Sequence, residues 1–173
     1  MMSLFEIRPM HMTDMESVLQ IQAACYSGDI PESADSLTAK LVAAPLSCFV
    51  ATADDDVVAY MIALPWVSTA PPVLNSPDCI IPAQADCLYL HDLSVHPHAR
   101  LSGIGRALIE CFFARCAQWQ FPQACLVAVQ NSGAYWRRFG FQSAPNSAIL
   151  AEKLGSYADD AEFLIYKVRS GYH

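Results

Sequence analysis

The stretch ADCLYLHDLSVHPHARLSGIGRALIE, Ala85 to Glu110, decides how this chain is read. An apolar strand runs into a turn bearing Pro97; Arg100, Gly103 and Gly105 come next, and an amphipathic helix follows. With no Cβ at Gly103 and Gly105 the backbone can approach a ligand closely, and the first helical turn leaves N–H groups without intrahelical partners. Those donors sit at the positive end of the helix dipole and favour an anion such as phosphate.

Two common phosphate-binding patterns do not fit. The dinucleotide fingerprint needs a third glycine three residues after the second, where this chain has Leu108. A nucleotide P-loop needs a four-residue gap and then Gly-Lys-Ser/Thr, and neither the gap nor the lysine is present. Leu93-Ser-Val95-His-Pro97 followed by Arg100-Leu-Ser-Gly103-Ile-Gly105 instead resembles motif A of the GNAT acyltransferase superfamily. Asn131-Ser-Gly-Ala134-Tyr-Trp-Arg-Arg-Phe-Gly140-Phe141 resembles motif B of the same superfamily, in which Asn opens a helix ending in Tyr-x-x-x-Gly-Phe.

The remaining pattern is that of one α/β domain. A chain of 173 residues suits a single domain and can bury about 70% of the surface its unfolded form exposes. Cys25, Cys48, Cys79, Cys87, Cys111, Cys116 and Cys125 form no C-x-x-C pair, and an odd count argues against a complete disulfide framework, so reduced core cysteines are expected. No basic-apolar leader opens the sequence and no apolar run is long enough to cross a bilayer, so a cytoplasmic location without a membrane partner is expected. A net charge of −7 argues against nucleic acid as a partner. It does not exclude an anionic ligand: screening acts within about 8 Å, so Arg100, Arg106 and the helix amides outweigh remote carboxylates.

Local signals place the elements. Leu4 to Arg8 suits a strand, and Thr13-Asp-Met-Glu16 reads as a capping box opening a helix to about Tyr26. A second helix is predicted from Ser33 to Ala44, stopped by Pro45. Cys48-Phe-Val-Ala51 and Val57 to Trp66 then flank Asp54-Asp55-Asp56 as a hairpin, whose wholly apolar second strand should be central. Prolines at 71, 72, 77 and 82 make Thr69 to Gln84 a loop, and Trp66 to Gln84 is a candidate for substrate selection. The helix from Gly103 to about Trp119 carries Ile104, Leu108, Cys111 and Phe112 as its core stripe. Strands at Ala124 to Val129 and Glu162 to Val168 complete a mixed α/β sheet flanked by helices.

The resemblance implies a single N-acetyltransferase domain over residues 1–173, with a mostly antiparallel sheet of six to seven strands and about four helices. It also implies that the motif A strand splays from the next to open a cleft for acetyl-CoA, with no metal. Main-chain groups of Leu93, Ser94 and Val95 would hold the pantetheine and the thioester carbonyl in an oxyanion-hole arrangement. The turn formed by Arg100, Leu101, Ser102, Gly103, Ile104, Gly105 and Arg106 would hold the pyrophosphate, with Asn131 and Trp136 contacting the cofactor from the neighbouring strand end. Asn131 is equally suited to cap the helix it opens. His96-Pro-His98 offers two metal ligands but no third nearby, so no metal site is expected.

Direct acyl transfer to an amine needs the amine neutral, and deprotonating a lysine-like ammonium at pH 7 costs roughly 4 to 5 kcal/mol. His91 is the first candidate base, since an imidazole with pKa near 6.5 can take that proton directly or through a water. Asp92 is the second. Strand alternation would put Tyr89, His91, Leu93 and Val95 on one face and Leu90, Asp92 and Ser94 on the other. Tyr-Leu-His91-Asp-Leu-Ser-Val95 resembles the motif A strand of the arylalkylamine (serotonin) N-acetyltransferases, with Tyr89 standing where those carry a first histidine.

In motif B the usual tyrosine, which protonates the departing thiolate, is replaced by Trp136, and Tyr135 lies one step back, rotated about 100° around the helix. The role is therefore not carried across to Tyr135 and leaving-group protonation is unassigned, with Tyr26, Tyr89 and Tyr157 as candidate donors from elsewhere in the chain. Tyr26, Trp66 and Tyr89 are candidate contacts for a small-molecule amine. The expected activity is acetylation of such an amine by a monomer or homodimer; the alternatives are a protein N-terminal or lysine acetyltransferase and a non-catalytic acyl-CoA sensor.

Overall fold

A computed structural model of the chain describes residues 4–26, 31–145 and 161–169. Its strands are β1 (Glu6–Pro9), β2 (Cys48–Ala53), β3 (Asp56–Trp66), β4 (Cys87–Val95), β5 (Gln123–Ala128), β6 (Gln142–Ser143) and β7 (Glu162–Lys167). They form one sheet in the order β1-β2-β3-β4-β5-β7-β6, antiparallel throughout except for β4 beside β5. Helices α1 (Met15–Cys25) and α2 (Ala34–Ala43) share one apolar cluster with β2 and β3, while α3 (Ile104–Gln118) packs into the other. A short helix α4 (Gly133–Arg137) follows β5. The expected mixed, mostly antiparallel sheet of seven strands with four helices is what the described residues form.

Local chemistry explains most boundaries. Ser33 caps α2 by accepting from the Ser36 amide, and Pro45 opens a separate single turn after it. Asp54 and Asp55 both adopt positive φ, 51° and 65°, the pair of left-handed conformations that lets a two-residue turn join β2 to β3 with the right twist. β3 is buried along most of its length, as its unbroken apolar run predicts. On α3 the buried stripe is Ile104, Leu108, Ile109, Phe112 and Cys116, with Cys111 half-buried at its edge.

Two expectations are corrected. Thr13 does not cap α1: the chain enters through a single 3-10 turn in which the Asp14 carboxylate accepts from the His11 amide at 2.7 Å and from both terminal nitrogens of Arg8 at 2.8 Å. The simple alternation on β4 also fails. Ile62 of β3 faces Asp92 and its neighbour Ala63 faces Leu90, so His91 is an extra residue, a bulge without a partner on β3.

That bulge reverses the phase of everything after it. Leu93 and Val95 join Leu88 and Leu90 on the α3 side, whereas Asp92 and Ser94 join Tyr89 on the side of α1 and α2. It also coincides with the end of pairing to β5. Leu88, Leu90 and the residue between them pair with Ala124 to Leu126, and beyond that point the two strands have no paired residues. The parallel pair therefore opens at the bulge, producing the splayed cleft that the resemblance implied.

Candidate active site

The opening between β4 and β5 is the mouth of a cavity of about 730 Å³, within the range of roughly 300–1,000 Å³ usual for ligand sites. Val127, Val129, Gln130 and Ser132 line one wall and Leu93, Ser94 and Val95 the other, with Arg100 to Arg106 at one end. Leu74 is the cavity's contribution from the proline-bearing loop. At the other end lie Gln22, Tyr26, Glu32, His91 and Asp92, while Cys25 sits beside the turn, its Sγ accepting from Arg100 Nη2 at 3.5 Å.

The phosphate-type turn is built as the glycines require. Leu101 has φ 65° and Gly103, which precedes α3, has φ 84°; a Cβ placed on Gly103 would meet nothing within 4 Å. The space over that residue is open, and the amides that begin α3 have no partner one turn back. Ser102 closes the turn by donating to the Ala99 carbonyl at 2.5 Å. Arg100 is tethered beside it: its Nε donates to the Val95 carbonyl at 3.3 Å, a carbonyl that also accepts from the Cys25 thiol at 3.3 Å. Arg106 lies over the Phe139 ring, 5.8 Å from its centroid.

Motif B sends two aromatic side chains to the cavity rather than one. Trp136 lines it while packing on Phe141. Tyr135 lines it too, and its hydroxyl lies 3.5 Å from the position a Cβ on Gly105 would take. The one-residue rotation around α4 therefore does not remove Tyr135 from the site. Partial burial pushes its phenol up, opposed by the charges of Arg106 and Arg138. Asn131 is not the helix cap, which falls on Ser132, and is not among the cavity-lining residues; it adopts φ 58° in the turn after β5.

His91 and Asp92, expected on opposite faces, both turn toward α1 and α2 because of the bulge. The Asp92 carboxylate accepts from Tyr26 at 2.7 Å, from Tyr60 at 2.5 Å and from Ser94 at 3.2 Å. Burial pushes this carboxyl up, against the pull of the two tyrosine hydrogen bonds. A buried carboxylate with its lone pairs so fully engaged is a structural anchor, which leaves it a poor base.

His91 differs. Its Nε2 lies 2.5 Å from Glu32 Oε1, its side chain is 2% exposed, and its Nδ1 has no partner among the described residues. Glu32 precedes α2 and was not singled out from sequence, where an acid beside Pro31 carries no signal of a partner 59 residues away. Burial raises the Glu32 carboxyl, but the charges of His91 and Lys40 and the hydrogen bonds from His91 and Ser36 outweigh it and hold the group at about 2.

Two of the candidate amine contacts lie elsewhere. Trp66 is not among the cavity-lining residues; its indole donates to the Ala70 carbonyl at 3.1 Å and so folds the loop back on itself. Tyr89 is 1% exposed in the small cluster of Cys87, Cys125 and Phe163. Tyr26 does reach the cavity. Tyr157 lies outside the described residues. His96 and His98 stack on each other with centroids 5.1 Å apart, and His96 Nδ1 accepts from the His98 amide.

An elongated ligand with a diphosphate suits this shape. The open space over Gly103 and the free amides at the start of α3 match a diphosphate, and the unpaired edges of β4 and β5 match an arm that hydrogen-bonds like a strand.

Comparison with known proteins bears on this geometry. Residues 15–141 match the acetyltransferase (GNAT) family. Among solved structures, Ard1 from Thermoplasma volcanium is 18% identical with a TM-score of 0.70, over 96% of this chain and 99% of that one. The ribosomal-protein-S18-alanine N-acetyltransferase from Escherichia coli is 16% identical with a TM-score of 0.67, over 98% and 97%. The PaiA N-acetyltransferase from Thermoplasma acidophilum, solved with coenzyme A, is 14% identical with a TM-score of 0.68, over 95% and 99%. No match was found among curated proteins. At these identities the structures show a shared fold; the family match, spanning both motifs and most of the sheet, establishes that the chain belongs to the GNAT acetyltransferase family.

Proposed function

We propose that this protein transfers the acetyl group of acetyl-CoA to the primary amine of a small molecule by direct attack on the thioester, with His91 as the base. One observation carries the reading: at the end of the cavity opposite the phosphate-type turn stands an imidazole with one nitrogen on a carboxylate and the other without a partner among the described residues. Acetyl-CoA, when bound, supplies an activated acyl group. The amides at the start of α3, with Arg100 and Arg106 beside them, would hold its diphosphate, and the main chain of Leu93 to Val95 would align its arm.

His91 would take the proton of the acceptor ammonium, a step worth about 100-fold or more when a base is well placed. The imidazole is covered, so the transfer runs through a bridging water or on a small displacement of its surroundings. Tyr135, protonated at neutral pH, is the candidate acid for the departing thiolate. Amines of modest size that carry no charge beyond the reacting ammonium suit a site whose described acceptor end has its ionic groups already paired with one another.

Release of free thiol from acetyl-CoA over a panel of arylalkyl, alkyl and polyamine acceptors, with N-terminal peptides and lysine peptides alongside, tests the reading. Turnover with a small amine and none with peptides is expected. Turnover confined to peptides would replace the acceptor class, and binding of coenzyme A without turnover on any acceptor would replace the enzyme by a sensor.

A further inference from the structure

Glu32 is held as a buried functional side chain rather than as a surface acid. Its backbone is clasped by one side chain of α1: Gln22 Nε2 donates to the Glu32 carbonyl at 2.9 Å, and the Glu32 amide donates to Gln22 Oε1 at 2.9 Å. Its carboxylate is divided. Oε2 accepts from Ser36 Oγ at 2.7 Å and lies 3.1 Å from Lys40 Nζ, while among the described residues Oε1 faces His91 Nε2 alone. Lys40 is itself buried and donates to Ser36 Oγ at 2.9 Å. Among the described residues, every side-chain nitrogen and oxygen of Glu32, Ser36, Lys40 and His91 therefore has a partner except His91 Nδ1.

Either Glu32 or His91 could in principle serve as the base. A carboxylate held at about 2 with both oxygens engaged drives proton transfer from an ammonium poorly, whereas an imidazole with one nitrogen unpartnered among the described residues is suited to it. The two therefore have different tasks. We infer that Glu32 is a positioning residue, whose carboxylate accepts the Nε2–H of His91 and so leaves Nδ1 as the lone pair that removes the proton of the acceptor amine.

This rests on the reading of His91 as base. One proton moves: the ammonium N–H bond breaks, an Nδ1–H bond forms, and the electron pair stays on the amine nitrogen. The imidazolium so formed has the Glu32 carboxylate against its other edge. Lys40 gives the network its balance. Lys40 lies 3.1 Å from Glu32 Oε2, so its charge offsets part of the pull that the carboxylate exerts on the His91 proton.

The groups facing His91 are Glu32 from the segment before α2, Lys40 of α2 through Glu32, Asp92 next to it on β4 with Tyr26 behind, and the ring of Tyr89 at 6.1 Å. Cys79, from the loop before β4, feels Glu32 and Lys40 as well. Removing the carboxylate and removing the ammonium should therefore displace the acid limb of kcat/KM in opposite senses, each by about one pH unit.

The test uses long-range nitrogen-15 NMR of the full-length protein, with the His91 signals assigned by their loss in His91→Gln, together with pH profiles of kcat/KM. Wild type is expected to carry its proton on Nε2. E32Q keeps an acceptor for that proton and removes the charge, so the tautomer stays, the acid limb moves to lower pH, and kcat falls about tenfold with little change in KM. Lys40→Met moves the acid limb to higher pH. If E32Q does not fold alone, the E32Q and Lys40→Met double variant, which has no unpaired charge, should keep the tautomer with a limb below that of wild type. A proton on Nδ1, or limbs that move together or stay in place, would overturn the assignment. The NMR arm reads the pairing without turnover, so its failure in a protein that needs His91 sinks the positioning role alone, whereas full activity in His91→Ala sinks the base.

Discussion

The Tyr26 hydroxyl donates to the Asp92 carboxylate at 2.7 Å, tying the residue that ends α1 to the strand that carries the site. Tyr60 holds the other oxygen from β3, so a buried and a half-buried phenol converge on one carboxylate. Replacing Tyr26 by phenylalanine removes one hydrogen bond to a buried acceptor that keeps two others. A loss of about 1 kcal/mol is expected, lowering Tm by roughly 2–4 °C in a thermal melt. An unchanged melt would mean that this contact contributes nothing to the fold.

His91→Ala should lower kcat near neutral pH about 100-fold or more while leaving the affinity for coenzyme A nearly unchanged. The separation follows from position: His91 lies at the far end of the cavity from Gly103, and nothing in the phosphate-type turn touches it. Initial rates and isothermal titration on the same preparation check both halves.

Gly103→Val should weaken coenzyme A binding with the fold intact. The space a side chain would enter is open, so the cost arises from φ of 84°, which a β-branched residue adopts only at about 1–3 kcal/mol. The backbone will relax, and the amides that begin α3 will lose their aim. A rise of tenfold or more in Kd by titration calorimetry is expected; an unchanged Kd would reject the diphosphate assignment.

Tyr135→Phe keeps the ring and removes the hydroxyl that lies near Gly105. If that hydroxyl protonates the leaving thiolate, kcat should fall about tenfold with Kd for coenzyme A hardly changed, and the corresponding Trp136→Phe should leave the pH dependence of kcat as it is. The comparison of the two variants by steady-state kinetics separates proton delivery from packing.

Acid unfolding should report Glu32 directly. Its folded carboxyl sits at about 2, below its ordinary 4.5, so the stability it contributes is complete above about pH 4.5 and is lost as pH falls toward 2. That window is worth about 3 kcal/mol. Glu32→Gln should flatten this limb in urea titrations run from pH 5 to 2. The share due to Asp14, whose carboxyl is also held low by Arg8, will remain.

Leu93 to Gly105 was legible as a strand, a turn and a helix start because each local rule there agrees with the fold: apolar residues where the sheet is buried, glycine where φ must be positive, and an amphipathic stripe beyond it. The hairpin around Asp54, the cap at Ser33 and the central apolar strand β3 were readable for the same reason. The helix cap at Thr13 misled because Asp14 is claimed by Arg8, a contact between elements that no short motif encodes.

The sequence by itself determined that a glycine-bearing turn joins β4 to α3 and that a histidine stands on the strand before it. Tertiary structure alone decided what that histidine faces. A bulge at residue 91 exists only because β3 offers one residue where β4 supplies two, and it turns His91 and Asp92 to the same side. Glu32 then meets His91 across a separation of 59 residues, brought there by the packing of α1 and α2 on the sheet. Pairing register and long-range charge contacts depend on the whole assembled sheet, so they have no local trace in the chain.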